Sequence, residues 1–196
     1  MQSHPYKLAL LASGEGTNAE AIIKYFSHHL QVKVVLVLSN NPQAGVLSKA
    51  GQYNIPVRVF DKRQFAETPE ISEWLKAAGV THIVLAGFLW LIPQTILKTF
   101  PGRIINIHPA LLPKFGGKGM YGKKVHEAVK ASGDHETGIT IHLVNEHFDE
   151  GKILFQKKCE VTLSDSVHQI EQKVRLLEHE YFPKVIEQWV KGEPIS

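Results

Sequence analysis

The chain of 196 residues contains one cysteine, so no disulfide can close within it, and stability must come from a buried core that this length can build without covalent or metal staples. That thiol, Cys159, suits a reducing compartment, and its place in an expected strand marks it as a small buried hydrophobe. Long apolar runs are missing as well. No stretch approaches the roughly 20 residues that span a bilayer, and Leu8-Ala9-Leu10-Leu11-Ala12, behind Lys7, is too short for a signal peptide and leads straight into Ser13-Gly14. Charge of one sign is scarce: the formal net charge is +3, and the basic residues are scattered among 19 acidic ones. Extended nucleic-acid binding is therefore not expected. Internal repeats, low-complexity tracts and an interdomain linker are lacking too. The expectation is a single domain over 1–196, in the cytoplasm, without a membrane or nucleic-acid partner.

What the chain has instead is alternation. Short β-branched runs at Lys7 to Ser13, Val32 to Ser39, Pro56 to Phe60, Thr81 to Phe88 and Arg103 to His108 predict buried parallel strands. Amphipathic stretches at Asn18 to His28, Ala44 to Tyr53, Ile71 to Ala78 and Pro93 to Phe100 predict crossover helices between them. The fold class is α/β, a doubly wound, mostly parallel sheet. Further on, Gly138 to Asn145 and Lys152 to Val161 read as a C-terminal β-hairpin. Ser166 and Gln169 make a capping-box signature. Val167, Ile170, Val174, Leu177 and Tyr181 follow at helical spacing, giving a long last helix that Pro183 is expected to kink or interrupt. Open sheets of this kind bind ligands beyond the carboxyl ends of their strands. Chemistry is therefore sought in Ser13 to Asn18, Phe88 to Ile92 and Asn106 to Pro113.

Ser13-Gly14-Glu15-Gly16-Thr17-Asn18 turns from the first strand into the first helix, where free backbone amides and the positive helix end favour a phosphate; the same glycines also serve any tight turn. A dinucleotide is disfavoured. The third glycine of that pattern is missing, and the second strand ends at Leu38-Ser39-Asn40 without the acidic residue that holds an adenine ribose. Gly117-Lys118-Gly119-Met120-Tyr121-Gly122-Lys123-Lys124 approaches an ATPase phosphate loop, yet Lys124 stands where a magnesium-binding Ser or Thr belongs. The Phe115 to Gly122 stretch reads instead as a mobile lid or an ordinary surface loop.

Asn106-Ile107-His108-Pro109 ends the fifth strand, and the two-residue period places Asn106 and His108 on one face. An amide donor and an imidazole there suit a carbonyl oxygen that turns into an oxyanion, with His108 as general acid or base; a strand histidine also has a plain structural reading. Thr140 and His142 alternate in the same way, and His142 reads as a packing residue or one behind the site. Asp149 is an ordinary turn former, but folded toward His108 it would favour the imidazolium. None of the 11 histidines combines with Cys159 or acidic residues into a zinc-ligand spacing, so the chemistry is expected to need no metal.

Taken in order along the chain, Ser13 to Asn18, Leu85-Ala86-Gly87-Phe88, Asn106-Ile107-His108-Pro109-Ala110-Leu111-Leu112-Pro113, Gly138-Ile139-Thr140-Ile141-His142 and Asp149-Glu150-Gly151 resemble the folate-dependent formyltransferases, of the type acting on glycinamide ribonucleotide. The resemblance implies transfer of a formyl group from 10-formyltetrahydrofolate to the amine of 5'-phosphoribosylglycinamide, in de novo purine synthesis, by a monomer or homodimer. It implies catalytic roles for Asn106, His108 and Asp149, and a substrate-phosphate loop at Gly16, Thr17 and Asn18. It puts the folate pocket at Leu89, Trp90, Leu91 and Ile92, at Asn106, and at Asn145, Glu146, His147, Phe148 and Asp149. Glu178 would bind the substrate ribose, and Thr140 would help to hold an ordered water. For Glu178 the spacing also fits an ion pair with Arg175.

The chain departs from the family pattern in places. Trp90 stands where many relatives carry Arg, and Asp61 to Glu70 offers no counterpart of a second folate-contacting Arg. Glu15 and Glu20 replace residues more often Asn and Gln, Arg175 replaces Gln or His, and the loop after Pro113 is longer. Relatives that hydrolyse the donor carry an extra N-terminal regulatory domain and those acting on methionyl-tRNA an extra C-terminal one; neither is expected here. A sugar-nucleotide formyltransferase and a non-catalytic nucleotide-binding domain are the remaining alternatives.

Overall fold

A computed structural model describes residues 5–195, and the chain forms two compact units, Met1–Ile105 and Asn106–Ser196. In the first unit, strands β1 (Tyr6–Leu11), β2 (Val32–Ser39), β3 (Val57–Val59) and β4 (His82–Leu85) alternate with helices α1 (Thr17–Phe26), α2 (Gly45–Gln52), α3 (Lys62–Glu67), α4 (Glu70–Ala77) and α5 (Gln94–Thr99). β1 pairs in parallel with β2 on one side and β4 on the other, and β2 pairs in parallel with β3. The run Leu8 to Ala12 is wholly buried because a central parallel strand has both faces covered. α1 buries Ala19, Ile22, Ile23 and Phe26, one helical stripe. The expected strands and helices all form within a few residues of their forecast ends. The short α3 was not expected: six residues carry too little periodicity, but Asp61 and Gln64 close a capping box at its start.

In the second unit, β5 (Ile104–His108), which begins at the junction, is followed by α6 (Lys123–Ser132), β6 (Glu136–Leu143), β7 (Ile153–Glu160) and α7 (Val167–Lys191). The hairpin of β6 and β7 is antiparallel as expected, with Thr140 opposite Gln156 and an irregularity between Ile141 and His142. α6 is a further helix that the sequence pattern hid, because it starts from Gly122 without a side-chain cap in a glycine- and lysine-rich stretch. α7 corrects another expectation. It runs uninterrupted through Pro183, which is itself buried, as are Phe182, Val185 and Ile186, so burial offsets the missing amide hydrogen bond. Cys159 lies in β7 as foreseen but only half-buried, on a strand whose residues are mostly exposed.

The strands are ordered β3-β2-β1-β4-β5-β6-β7, a doubly wound, mostly parallel sheet with the antiparallel hairpin at one edge. Order reverses at β1, so the carboxyl ends of β1 and β4 flank the switch point where such sheets take ligands. No helix among the described residues is long and apolar enough to cross a membrane.

Candidate active site

Within the second unit, β5 delivers Asn106 and His108 to one face while Ile105 and Ile107 pack on the other. Asp149 reaches them from the turn after β6. That residue sits at φ 59°, a left-handed conformation that aspartate tolerates better than most side chains. Gly151, two residues on, approaches the Leu143 carbonyl so closely that any side chain would collide with backbone, which holds the turn tight against β6.

Asp149 then reaches Asn106, His108, His142 and the Gly117 amide. Its Oδ2 accepts from the Gly117 amide at 2.9 Å and lies 3.4 Å from His108 Nδ1. Its Oδ1 lies 3.4 Å from the donor Asn106 Nδ2 and 3.5 Å from His142 Nε2. On the far side of the His108 ring, Nε2 is 2.7 Å from the Phe115 carbonyl oxygen. A carbonyl can only accept, so Nε2 carries the proton. His142 Nδ1 lies 2.9 Å from the Leu143 carbonyl oxygen, and its Nε2 lies 3.2 Å from Asn106 Nδ2.

These partners pull His108 in opposite directions. Burial, at 3% exposure, disfavours its charge most, the Asp149 carboxylate and Phe115 carbonyl favour it, and His142 disfavours it; the net effect holds the imidazole below its ordinary range. For Asp149, burial pushes the carboxyl up, but His142, His108 and the Gly117 amide outweigh it and hold it below the usual carboxylate range. The resting pair is a carboxylate beside an imidazole neutral at pH 7. Both ring nitrogens nevertheless face acceptors, an arrangement that only the imidazolium satisfies fully.

Phe115 and Gly117 belong to the stretch read as a lid or surface loop, and the structure makes its beginning part of the site. Phe115 has φ 57°, unusual for a bulky residue. Its ring packs on buried Val129, Val161 and Ile170 while its carbonyl turns to His108. Sequence reading missed both residues because they act through backbone atoms. Thr140 is held by the segment that follows β5. Its hydroxyl donates to the Ala110 carbonyl at 2.7 Å and accepts from the Leu112 amide at 2.9 Å and Gln156 Nε2 at 2.9 Å. The donor and both lone pairs of the hydroxyl are thereby engaged.

Of the remaining second-unit residues expected in the site, Asn145 accepts from the His147 amide at 2.9 Å in the turn leading to Asp149. Glu146 and His147 are exposed there, and Phe148 is half-buried. On α7 Arg175 pairs with Glu171, and Glu178 is half-buried.

In the first unit, the turn Ser13 to Asn18 is braced from two sides. The Ser13 amide donates to Gly87 at 3.0 Å, and Leu89 N donates to Ser13 Oγ at 3.1 Å, tying together the ends of β1 and β4. Val46 N donates to the Gly14 carbonyl at 3.2 Å. Gly16, at φ 71°, is the N-cap of α1 without a side-chain cap, and the first amides of Thr17 and its neighbours have no intrahelical acceptor. Asn18 Oδ1 is buried without a hydrogen-bond partner. Glu20 does not oppose an anion here: Lys24 at 2.6 Å and Lys49 at 3.0 Å neutralise it, and the Lys24 and Lys49 ammonium groups hold its carboxyl below the usual range. After β4, Leu89 and Leu91 are exposed and Ile92 is buried. Trp90 leans into a cluster with Phe65 at 5.6 Å, Phe60 at 6.0 Å and Phe88 at 6.3 Å between ring centroids.

A family model described as formyl transferase matches residues 6–186. The chain is 41% identical over 186 residues to the chloroplastic phosphoribosylglycinamide formyltransferase of Arabidopsis thaliana, covering 92% of this chain and 64% of that protein. With the phosphoribosylglycinamide formyltransferase of Haemophilus influenzae it shares 36% identity over 191 residues, covering 95% of this chain and 88% of the relative. The crystal structure of glycinamide ribonucleotide transformylase 1 from Symbiobacterium toebii superposes with a TM-score of 0.87 at 30% identity, covering 97% of this chain and 90% of that one.

Proposed function

Because the chain belongs to the formyl transferase family, we propose that it is a phosphoribosylglycinamide formyltransferase whose chemical centre is Asn106, His108 and Asp149. It moves the formyl group of 10-formyltetrahydrofolate to the amine of 5'-phosphoribosylglycinamide, a step of purine biosynthesis. A single observation supports this centre most: one carboxylate, Asp149, lies within 3.4 Å of both an amide donor and a buried imidazole at a strand end.

The donor supplies the formyl carbon, which the amine attacks. Asn106 Nδ2 and His108 are placed to donate to the formyl oxygen as negative charge builds on it, the stage at which such hydrogen bonds strengthen. An Asn106 amide proton rests on Asp149 and must turn from that acceptor to the oxyanion. His108 takes up the proton that the attacking amine loses and passes it on to N10, and Asp149 stabilises the positive charge on the ring in between. The amine–carbon bond forms, the carbon–N10 bond breaks, and the proton lost by the amine is balanced by the one gained at N10.

The amides of Gly16 to Asn18 take the acceptor phosphate at the start of α1, and Glu178 takes its ribose. The exposed faces of Leu89 and Leu91 suit the flat apolar part of the folate, with Trp90, Ile92 and the segment Asn145 to Asp149 completing its pocket. The two units act as one formyltransferase domain, since one family model runs across both. The reading is of a cytoplasmic monomer or homodimer. Formyl transfer measured with and without glycinamide ribonucleotide tests it: the donor should be consumed only when the acceptor is present. Consumption without acceptor would mark a hydrolase, and binding without turnover a non-catalytic domain.

A further inference from the structure

Gln156 is absent from every functional assignment made above, yet its side chain ends on the segment that carries the proposed catalytic histidine. It stands on β7 directly opposite Thr140 of β6. Its Nε2 donates at 3.0 Å to the Leu112 carbonyl and at 2.9 Å to Thr140 Oγ1. Thr140 in turn holds Ala110 and Leu112. The polarity of this clamp is forced. The carbonyls of Ala110 and Leu112 can only accept and the Leu112 amide can only donate, so Thr140 must give its proton to Ala110. It therefore needs Gln156 as a donor, and both amide protons of Gln156 are used.

The clamped residues, Ala110 to Leu112, lie between His108 and Phe115. Those two form the 2.7 Å hydrogen bond that fixes the His108 tautomer, and the ring also faces Asp149 at 3.4 Å. Moving this segment by a fraction of an ångström would change both contacts.

We propose that Gln156 is a positioning residue for formyl transfer: through Thr140 and Leu112 it sets the placement of the His108 ring between Phe115 and Asp149. The proposal rests on His108 being the catalytic histidine. Gln156 is exposed on an edge strand, so its replacement leaves the core untouched, and a role confined to local stability would not reach the chemistry.

The test uses the full chain with Gln156→Met, which keeps length but loses both donors, and Gln156→Glu, which keeps shape but presents an oxygen where the clamp needs N–H. Expected for both is a fall in kcat of about 10- to 100-fold, the scale of a small misplacement in an active site. KM for donor and acceptor should stay within about twofold, as for an interaction felt in the transition state and not in binding. The His108 titration followed by NMR should be displaced from wild type, because the Phe115 carbonyl and Asp149 both act on it. A double-mutant cycle with Thr140→Val should be non-additive. Unchanged kcat and an unchanged His108 titration in a folded variant would overturn the proposal, as would strict additivity with Thr140→Val. If Gln156→Met fails to fold, Gln156→Glu decides by the same readouts. A wild-type protein with no formyl transfer at all would instead sink the functional reading on which the proposal stands.

Discussion

At the scale of single residues, the site is a set of conflicting demands on His108. Burial keeps it neutral and two acceptors invite its charge, so the Asp149 carboxylate is the natural control on when the ring takes up a proton. Asp149→Asn separates charge from shape, since asparagine also tolerates the left-handed backbone at φ 59°. Folding and acceptor binding should survive, and turnover should fall substantially. Removing a favourable anion makes the imidazolium lose its proton more readily, so the His108 titration should move further toward lower pH. A pH–rate series with NMR titration of His108 reads both effects; lost activity with an unmoved titration would leave Asp149 a purely positional role. The larger loss belongs to His108→Ala, where turnover should drop by roughly 10²–10⁴, the usual contribution of a positioned acid or base. Near-normal turnover in a folded variant would remove His108 from the mechanism. That Asn106 and His108 share a face was legible from strand alternation, and the structure brings Asp149 beside both. Phe115 and Gly117 were not legible, because a backbone carbonyl or amide carries no residue signature.

At the scale of elements, the turn into α1 is the anion site proposed for the acceptor phosphate. Gly16 is needed twice over: it holds φ 71°, and a Cβ there would meet the Val46 side chain at 2.5 Å. Gly16→Ala should therefore lower stability by roughly 1–3 kcal/mol, as overpacking of a close contact does. It should also raise KM for the phosphorylated acceptor while leaving that for the folate nearly unchanged. Denaturant unfolding and two-substrate kinetics check the pair, and a selective rise in the folate KM would mean that the two pockets are assigned the wrong way round. Glycine spacing announced this turn, but the neutralisation of Glu20 by Lys24 and Lys49 did not show, because Lys49 comes from a different helix. Helices tell the same story. α1 and α7 declare themselves by stripe and cap, whereas α6, with only Val125, His126 and Val129 buried, is fixed by what it packs against.

At the scale of the whole molecule, pH dependence exposes groups that folding holds in one protonation state. Burial, helped by the nearby Arg103 charge, pushes the His82 imidazole down to about 4 from an ordinary 6.5. The unfolded chain then binds more protons across that interval, so stability is fully present above pH 6.5 and is lost as pH falls through 4. His82→Phe keeps a ring beside Tyr6, whose centroid is 6.1 Å away, and should flatten the loss between those values in denaturation followed against pH. An identical slope in the variant would assign the acid sensitivity elsewhere. By itself the sequence determined the class of fold, since alternating apolar runs and amphipathic stretches allow little besides a doubly wound sheet, and it named the side chains proposed to carry the chemistry, since their motifs are local. The tertiary structure alone decided how those side chains meet. It spent the Thr140 hydroxyl on the Ala110 to Leu112 segment, turned the Phe115 carbonyl onto His108, drew Trp90 into a cluster of phenylalanines and carried α7 unbroken through Pro183. Each of these depends on contacts between residues distant along the chain, whose free energies are set by packing and hydrogen-bond geometry that no local pattern encodes.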